Sequence, residues 1–163
     1  MSSPHNDALI LCYDGSAGAK HAIQLAGSLF PGEEALVLTA WQPLSGMGSF
    51  AWAGTTTINL ADIDHVPADD GCRIAEEGRQ VARAAGLAAD AVTVEAPGPV
   101  WQAIVKMADR HQPAVVVMGS RGLSGVRSML IGSVSNAVVH HAHQPTLVVP
   151  PNGNPSIGTS PGE

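Results

Sequence analysis

The sequence predicts an α/β domain built on a parallel sheet, in which strands and helices alternate along the chain. Five short apolar runs are separated by segments whose apolar residues recur at helical spacing. Most of the runs are continuous rather than alternating, which is typical of strands buried on both faces of a parallel sheet. The 163 residues suffice for one domain with a real core. Repetition of strand, helix and strand predicts parallel strands joined by right-handed crossovers.

The five predicted strands are, in chain order, ALILCY (8–13), ALVLTA (35–40), AVTVE (91–95), AVVVM (114–118) and TLVVP (146–150). In sheets of this kind, ligands bind at the carboxyl ends of the strands, where the strand order reverses. The segments that follow the first, second and fourth strands are therefore the places to search for a site.

Four segments between the strands predict helices. Ser16 can cap the first by accepting from a free backbone N–H group, and its apolar positions are Ala19, Ala22, Ile23, Ala26 and Leu29. The second covers 74–85 and stops at Gly86. The third covers 101–108, opens with Pro99 at a first-turn position and closes before Pro113. The fourth covers 134–141.

Two regions depart from this alternation. Segment 42–70 is long and irregular, and loops of that length are usually functional or disordered, so a lid, a partner contact and a mobile insertion all stay open for it. The end of the chain, 151–163, is rich in proline, glycine and serine and predicts a disordered tail. We therefore expect one domain over 1–150, followed by that tail.

Composition argues against several classes of protein. The net charge is −6 and no basic stripe stands out, which argues against nucleic acid as a partner. Cys12 and Cys72 cannot form a disulfide framework. The sequence has no signal-peptide pattern and no apolar stretch of about twenty residues, so we expect a soluble cytoplasmic protein without membrane contact. The histidines of 140–143 lack a carboxylate or cysteine nearby in sequence, so we expect no metal site there.

The stretch GSRGLSGVRSMLIGS (119–133) carries the strongest functional signal. Gly119 and Gly122 follow the fourth strand, and glycine lets the backbone approach a ligand closely. Gly132 and Ser133 open the fourth helix, where free N–H groups and a partial positive charge favour an anion. Arg121 raises the local potential, and the hydroxyls of Ser133 and Ser135 add donors. A surface loop ending in a serine-capped helix is the alternative, while the P-loop motif GxxxxGK[ST] is absent.

The spacing G-x2-G-x9-G-[ST] of this stretch resembles the ATP-binding signature of the universal stress protein family. LCYDGS after the first strand and GSVSNAVVHHAHQPTLVVP at the end resemble other parts of that family, so the likeness covers roughly 8–150. It implies a doubly wound, five-stranded parallel sheet of order 3-2-1-4-5, with helices on both faces as in adenine nucleotide alpha hydrolase-like proteins. It also implies ATP or AMP, with or without magnesium, at the carboxyl edge of the sheet.

The expected nucleotide-binding residues, mostly implied by the resemblance, are Cys12, Tyr13, Asp14, Ala40, Met118, Gly119, Arg121, Gly122, Gly132, Ser133, Val134 and Ser135. Asp14 is expected to contact the nucleoside, although an Asp before Gly also makes turns. Met118 and Val134 could equally be core residues. Ala40 stands where family members commonly carry valine, so looser adenine packing is expected unless Trp41 compensates.

Three functions stay open from the sequence. The leading hypothesis is an ATP-binding stress-response protein that acts as a nucleotide-dependent switch or a chaperone-like partner. The alternatives are a slow ATPase or other nucleotide-handling enzyme, and a nucleotide-free interaction module. The glycine-rich stretch contains no acid, so rapid hydrolysis is not expected. The resemblance further implies a homodimer formed through the last strand, and the protein partner of such a switch stays open.

Overall fold

The computed structural model describes residues 8–43, 65–121 and 131–151 of the chain. Strands and helices alternate through these ranges in the order β1 (Leu9–Cys12), α1 (Ala17–Leu29), β2 (Glu34–Trp41), α2 (His65–Ala84), β3 (Ala88–Glu95), α3 (Val100–His111), β4 (Val115–Gly119), α4 (Ser133–His141) and β5 (Thr146–Val149). Every predicted strand and helix is therefore present. The predicted tail lies outside the described residues from 152 onward, as does the 44–64 part of the irregular segment.

The five strands form one parallel sheet of order β3-β2-β1-β4-β5, which confirms the predicted topology. β2 and β3 lie on one side of β1, and β4 and β5 lie on the other side. The reversal therefore lies between β1 and β4, the position at which sheets of this class open a crevice at their carboxyl edge.

Both faces of the sheet are buried, each under a pair of helices. Leu9 and Leu11 of β1 pack in one cluster with α1 and α2. Ile10 and Cys12 point to the opposite face and pack with α3 and α4. All four side chains of β1 are buried. Burial on both faces explains why the central strands are continuous apolar runs rather than alternating ones.

Helix α2 corrects the predicted extent of the irregular segment. It begins at His65, so residues 65–70 are helical and do not belong to a loop. Apolar periodicity starts only at Ile74, and Asp69 and Asp70 are exposed, so the first turns carried no hydrophobic signal. Gly71 and Gly78 lie two turns apart and make room for aromatic side chains of the sheet. A Cβ at Gly71 would lie 3.2 Å from Cδ1 of Trp41, and one at Gly78 would lie 2.6 Å from Cδ1 of Tyr13.

Two of the predicted helix caps, Ser16 and Gly86, are present in the structure. Ser16 Oγ accepts a hydrogen bond from the Ala19 amide at 3.2 Å. Gly86, two residues after the end of α2, has a φ of +89°, the left-handed conformation that follows many helices. Pro99 was expected in the first turn of α3, but it is the N-cap residue, one position before the first helical residue Val100. Within 8–43, 65–121 and 131–151, none of the helices has the length and apolarity to cross a bilayer.

Folding places a carboxylate beside the histidines near the end of α4. His143 Nδ1 lies 3.1 Å from Oδ1 of Asp109, and the His141 ring stacks on Trp101 with ring centroids 4.5 Å apart. In the described part of the chain, no group of three or more His, Cys, Asp and Glu residues is arranged to hold a metal ion. The contacts of His141 and His143 instead join α3 to α4 and to the turn before β5.

Candidate functional site

A cavity of about 460 Å³ opens at the carboxyl ends of β1, β2 and β4, beside the first turn of α4. Eleven of the twelve predicted site residues line it: Cys12, Tyr13, Asp14, Ala40, Met118, Gly119, Arg121, Gly132, Ser133, Val134 and Ser135. Gly122, the twelfth, lies outside the described residues. Residues that are far apart in sequence therefore meet around one opening at the point where the strand order reverses.

Asp14 is held by a turn directly after β1. Its Oδ1 accepts a hydrogen bond from the Ser16 amide at 2.9 Å, and Gly15 between them has a φ of +82°. This is the turn chemistry expected of an Asp-Gly pair. The turn uses one carboxylate oxygen and fixes the side chain at the cavity wall, so Oδ2 can still accept a hydrogen bond from a ligand.

Cys12 and Tyr13 contribute little ionic character to the cavity. Burial, with a smaller effect from Asp14, raises the pKa of the Cys12 thiol to about 12. The Tyr13 hydroxyl donates to Oε1 of Glu77 at 2.8 Å, and burial together with Glu77 raises the pKa of Tyr13. Both groups stay protonated at neutral pH. The Tyr13 hydroxyl hydrogen is engaged by Glu77 and is therefore not available to a ligand.

The carbonyl of Ser120 fixes the start of α4 against the end of β4. It accepts hydrogen bonds from the Gly132 amide at 2.6 Å and from the Ser135 hydroxyl at 3.0 Å. Ser135 Oγ also lies 3.1 Å from the Gly132 carbonyl. The single hydroxyl hydrogen of Ser135 is used inside the protein. Ser135 therefore positions α4, although the sequence had suggested it as a donor to a phosphate.

The first turn of α4 presents hydrogen-bond donors to the cavity. The N-cap residue is Gly132, which has no side chain to cap the helix, and the first turn carries no acid. The first N–H groups of a helix have no intrahelical acceptor and carry a partial positive charge. The Ser133 side chain is exposed beside them, so its hydroxyl is a further donor. This end of the cavity suits an anion.

Close backbone packing explains the glycine at the end of β4. A Cβ at Gly119 would lie 2.9 Å from the carbonyl carbon of Gly18, in the backbone of α1. Arg121 follows at the cavity wall and is half-buried. Asp14 and Arg121 are the charged residues of the described chain that line the cavity. The cavity wall therefore contains the carboxylate of Asp14, the guanidinium of Arg121 and the start of α4, which has no side-chain cap.

Apolar side chains complete the wall, and sequence reasoning missed part of it. Leu38 of β2 and Met118 of β4 are buried at the base, while Val100 and Ile104 of α3 add a side wall. Val100 and Ile104 have i, i+4 spacing and follow Pro99, at the carboxyl edge of the sheet. That position was the sequence signal from which their place in the cavity wall could have been found. Gln42 also lines the cavity, and its Nε2 donates to the Gly98 carbonyl at 2.9 Å.

The expected compensation of Ala40 by Trp41 is wrong. Successive residues of a strand point to opposite faces of the sheet. Ala40 lines the cavity on the α3 side, whereas the Trp41 side chain packs against Gly71 of α2 on the other side. The small side chain at position 40 therefore leaves room in the cavity that Trp41 does not fill.

Comparison with known proteins is consistent with this arrangement. The model of the Universal stress protein family matches residues 6–150. A universal stress protein of Bacillus subtilis is 32% identical over 108 residues, which cover 60% of this chain and 72% of the relative. A universal stress protein of Methanocaldococcus jannaschii is 26% identical over 145 residues, which cover 86% of this chain and 80% of the relative.

Solved structures share the fold at low sequence identity. A universal stress protein in complex with cAMP aligns with a TM-score of 0.59 and 24% identity over 88% of this chain and 96% of its own. The universal stress protein from Archaeoglobus fulgidus in complex with dAMP aligns with a TM-score of 0.60 and 17% identity, over 90% of this chain and 99% of its own. A universal stress protein family protein from Arabidopsis thaliana with AMP bound aligns with a TM-score of 0.62 and 17% identity, over 90% of this chain and 93% of its own. Since the family model covers most of the sequence and the strand order agrees, the chain belongs to the universal stress protein family.

Proposed function

We propose that this protein binds an adenine nucleotide in the cavity at the carboxyl edge of its sheet and acts as a nucleotide-dependent switch in a stress response. The observation that carries the proposal is the meeting of Asp14 and the uncapped start of α4 across one apolar-walled cavity. A nucleotide needs an acceptor for its nucleoside, donors for its phosphates and an apolar surface for its base. Family members bound to cAMP, dAMP and AMP support the choice of adenine.

We propose one orientation for the nucleotide in this cavity. The base fits the apolar wall formed by Leu38, Ala40 and Ile104, and a ribose hydroxyl can donate to Asp14. The phosphates would then lie at the first turn of α4, beside Ser133. We expect ATP and AMP both to bind in this way, because the groups proposed to recognise the nucleoside are the same for the two ligands.

The residues around the cavity favour binding over rapid hydrolysis. Asp14 is the acid that lines the cavity in the described residues, and one of its oxygens is engaged by the Ser16 amide. A phosphoryl-transfer enzyme needs a group that orients the attacking water and ligands for magnesium near the phosphates. We therefore propose a switch, in which nucleotide binding stabilises one conformation because the nucleotide binds it more tightly than the other.

Asp14→Asn provides a direct test by titration calorimetry with ATP and AMP. Asparagine retains an oxygen that can accept from the Ser16 amide, so the turn is preserved while the charge is lost. We expect the affinity to fall at least about 10-fold, because a hydrogen bond to a charged group contributes about 1.5–3 kcal/mol. Asp90→Asn, at an exposed position of β3, is the matched control. Unchanged affinity in Asp14→Asn would contradict the proposed nucleoside contact, and a wild-type protein that binds neither nucleotide would contradict the function.

We also propose that the protein forms a homodimer through β5. This strand is at an edge of the sheet, and its Leu147 and Val148 side chains are only half-buried in the single chain. An edge strand presents unpaired backbone groups that a second copy can use. Sedimentation should show a dimer that Val148→Lys converts to a monomer, whereas a monomeric wild-type protein at high concentration would contradict the proposal. A cytoplasmic location stays a prediction from the sequence alone.

A further inference from the structure

We propose a second binding site, for a small organic oxyanion with an apolar body, in a cleft beside α3 that shares no lining residue with the nucleotide cavity. The cleft has a volume of about 460 Å³ and is lined by the end of β3, by segment 96–99 and by one face of α3. A volume of that size accommodates a small-molecule ligand. The proposal does not depend on nucleotide binding.

The cleft lies beside an edge strand of the sheet. β3 is the outermost strand on its side, and its Val94 is only half-buried. Across from Val94, the buried side chains Ala103 and Met107 of α3 face the same space. These three residues give the cleft an apolar surface that is large enough to hold a short hydrocarbon or ring.

The rim of the cleft on α3 is polar and positively charged. Gln102, Lys106 and Arg110 all line it, and their i, i+4, i+8 spacing places them along one face of the helix. Successive positions in such a row are about 5–6 Å apart at Cβ, so Lys106 and Arg110 can reach one oxyanion together. All three side chains are exposed, which leaves their donors free to turn toward a ligand.

Lys106 and Arg110 differ from the arginines of α2 in whether they form ion pairs. Arg73, Arg79 and Arg83 each form an ion pair, with Asp70, Glu76 and Asp90 respectively. Lys106 and Arg110 form no ion pair with any described residue. In a chain with a net charge of −6, two neighbouring cations at a cleft that pair with none of the acids in 8–43, 65–121 and 131–151 are a feature that an anion would explain.

The acids near the cleft do not neutralise this pair. Glu95 lines the cleft from the end of β3 but lies beyond ion-pair distance of both cations. Asp109 is adjacent in sequence, but its Oδ1 is engaged by His143 and Gln144. Segment 96–99 offers few donors, because two of its residues are prolines and the Ala96 amide already bonds the Trp41 carbonyl. The oxyanion is therefore assigned to Lys106 and Arg110.

The two cavities have no lining residue in common. Val100 and Ile104 face the nucleotide cavity, whereas Ala103 and Met107 face the second cleft. Gln42 lies in the wall of the first cavity and bonds the Gly98 carbonyl of the second. The separation means that a ligand in the cleft can be distinguished from one in the nucleotide cavity by the residues it perturbs.

Octanoate and octyl phosphate are suitable probes, with 1-octanol as the neutral control. Amide chemical shifts recorded by NMR during titration should change at Gly98, Gln102 and Lys106, and should saturate with both anions but not with octanol. Clearly tighter binding of octyl phosphate would identify a phosphate as the preferred group, and equal binding would identify a general oxyanion site. Shifts confined to Ser133 and Val134, or equal binding of octanol, would overturn the proposal.

Variants then test the two cations. Lys106→Ala/Arg110→Ala should weaken both anions at least 10-fold, and Lys106→Arg/Arg110→Lys should restore binding because it keeps the charges. Lys20→Ala/Arg73→Ala removes the same charge from exposed positions elsewhere and should leave binding unchanged. Circular dichroism verifies the fold of each variant. Wild-type affinity in the Lys106→Ala/Arg110→Ala protein would rule out the assignment.

Discussion

The Ser135 hydroxyl donates to the Ser120 carbonyl at 3.0 Å and thereby ties the first turn of α4 to the end of β4. The same carbonyl accepts from the Gly132 amide, so two residues of the helix start converge on one oxygen. Ser133, which lies between Gly132 and Ser135 in the sequence, has an exposed side chain. Two serines two residues apart therefore have different roles: Ser135 holds the helix start in place, and Ser133 faces the opening.

Ser135→Ala should lower the stability of the fold, and Ser133→Ala should not. Loss of the Ser135 hydroxyl removes its buried hydrogen bond and should decrease the free energy of unfolding by about 1 kcal/mol. Ser133→Ala should change that quantity by less than about 0.5 kcal/mol, as is usual at surface positions, while weakening ATP binding. Urea denaturation and calorimetry measure the two effects. Equal stability of the two variants would contradict these roles.

Gly119→Ala should destabilise the protein more strongly than Gly98→Ala. The added methyl group at 119 would lie 2.9 Å from backbone atoms of Gly18, which cannot move without shifting α1. Overpacking of this kind costs about 1–3 kcal/mol. At Gly98 the nearest atom is Oε1 of Gln102, at 3.3 Å, and this flexible side chain can move aside. Thermal unfolding that ranks Gly98→Ala as the less stable variant would contradict the packing argument.

The sequence predicted the architecture because the central strands are buried on both faces. Such burial requires continuous apolar runs, and β1 and β4 show them clearly. The start of α2 could not be predicted, because residues 65–70 lack apolar periodicity. The helix continues there without a hydrophobic face that would mark it in the sequence.

Residues that line the cavity were predictable where the backbone itself forms its wall. Gly119, Gly132 and Asp14 have local signatures, since tight turns and close approaches restrict the residue type. The contributions of Val100 and Ile104 from α3 were missed, because their i, i+4 pattern is that of ordinary core residues and only their position after Pro99 pointed to the cavity. The role of Ser135 also required the fold, since its acceptor at Ser120 is fifteen residues away.

Cys12 should make stability depend on pH in the alkaline range. Its pKa is raised from 9.0 to about 12 by burial, so between these values the unfolded chain has lost a proton that the folded protein retains. The free energy of unfolding therefore falls as the pH rises through this window, by about 1.4 kcal/mol per pH unit for one proton. Below pH 9 the ionisation of Cys12 has no effect on stability. Cys12→Ala should show a shallower decline in urea denaturation between pH 9 and 11. Parallel curves for the two proteins would contradict the assignment.

The two cysteines should also differ in reactivity toward a disulfide reagent at pH 8. Cys72 is exposed, whereas Cys12 is buried and protonated. Because the thiolate is the reactive form, one thiol per chain should react rapidly in the native protein and a second only after unfolding. Cys72→Ser should leave the native protein almost unreactive. Rapid modification of that variant would show that the Cys12 thiol is accessible.

Ala40→Val should tighten adenine nucleotide binding, because the cavity has room at this position. Ala40 lines the apolar wall, and Trp41 packs against Gly71 instead of filling the space. Two added methyl groups that become buried against the base contribute up to about 1.6 kcal/mol, at roughly 0.8 kcal/mol per carbon. We therefore expect ATP and AMP to bind about 3- to 10-fold more tightly in calorimetry. Ala91→Val, at an exposed position of β3, should leave the affinity unchanged. Weaker binding by Ala40→Val, in a protein of unchanged stability, would show that the base does not lie against this wall.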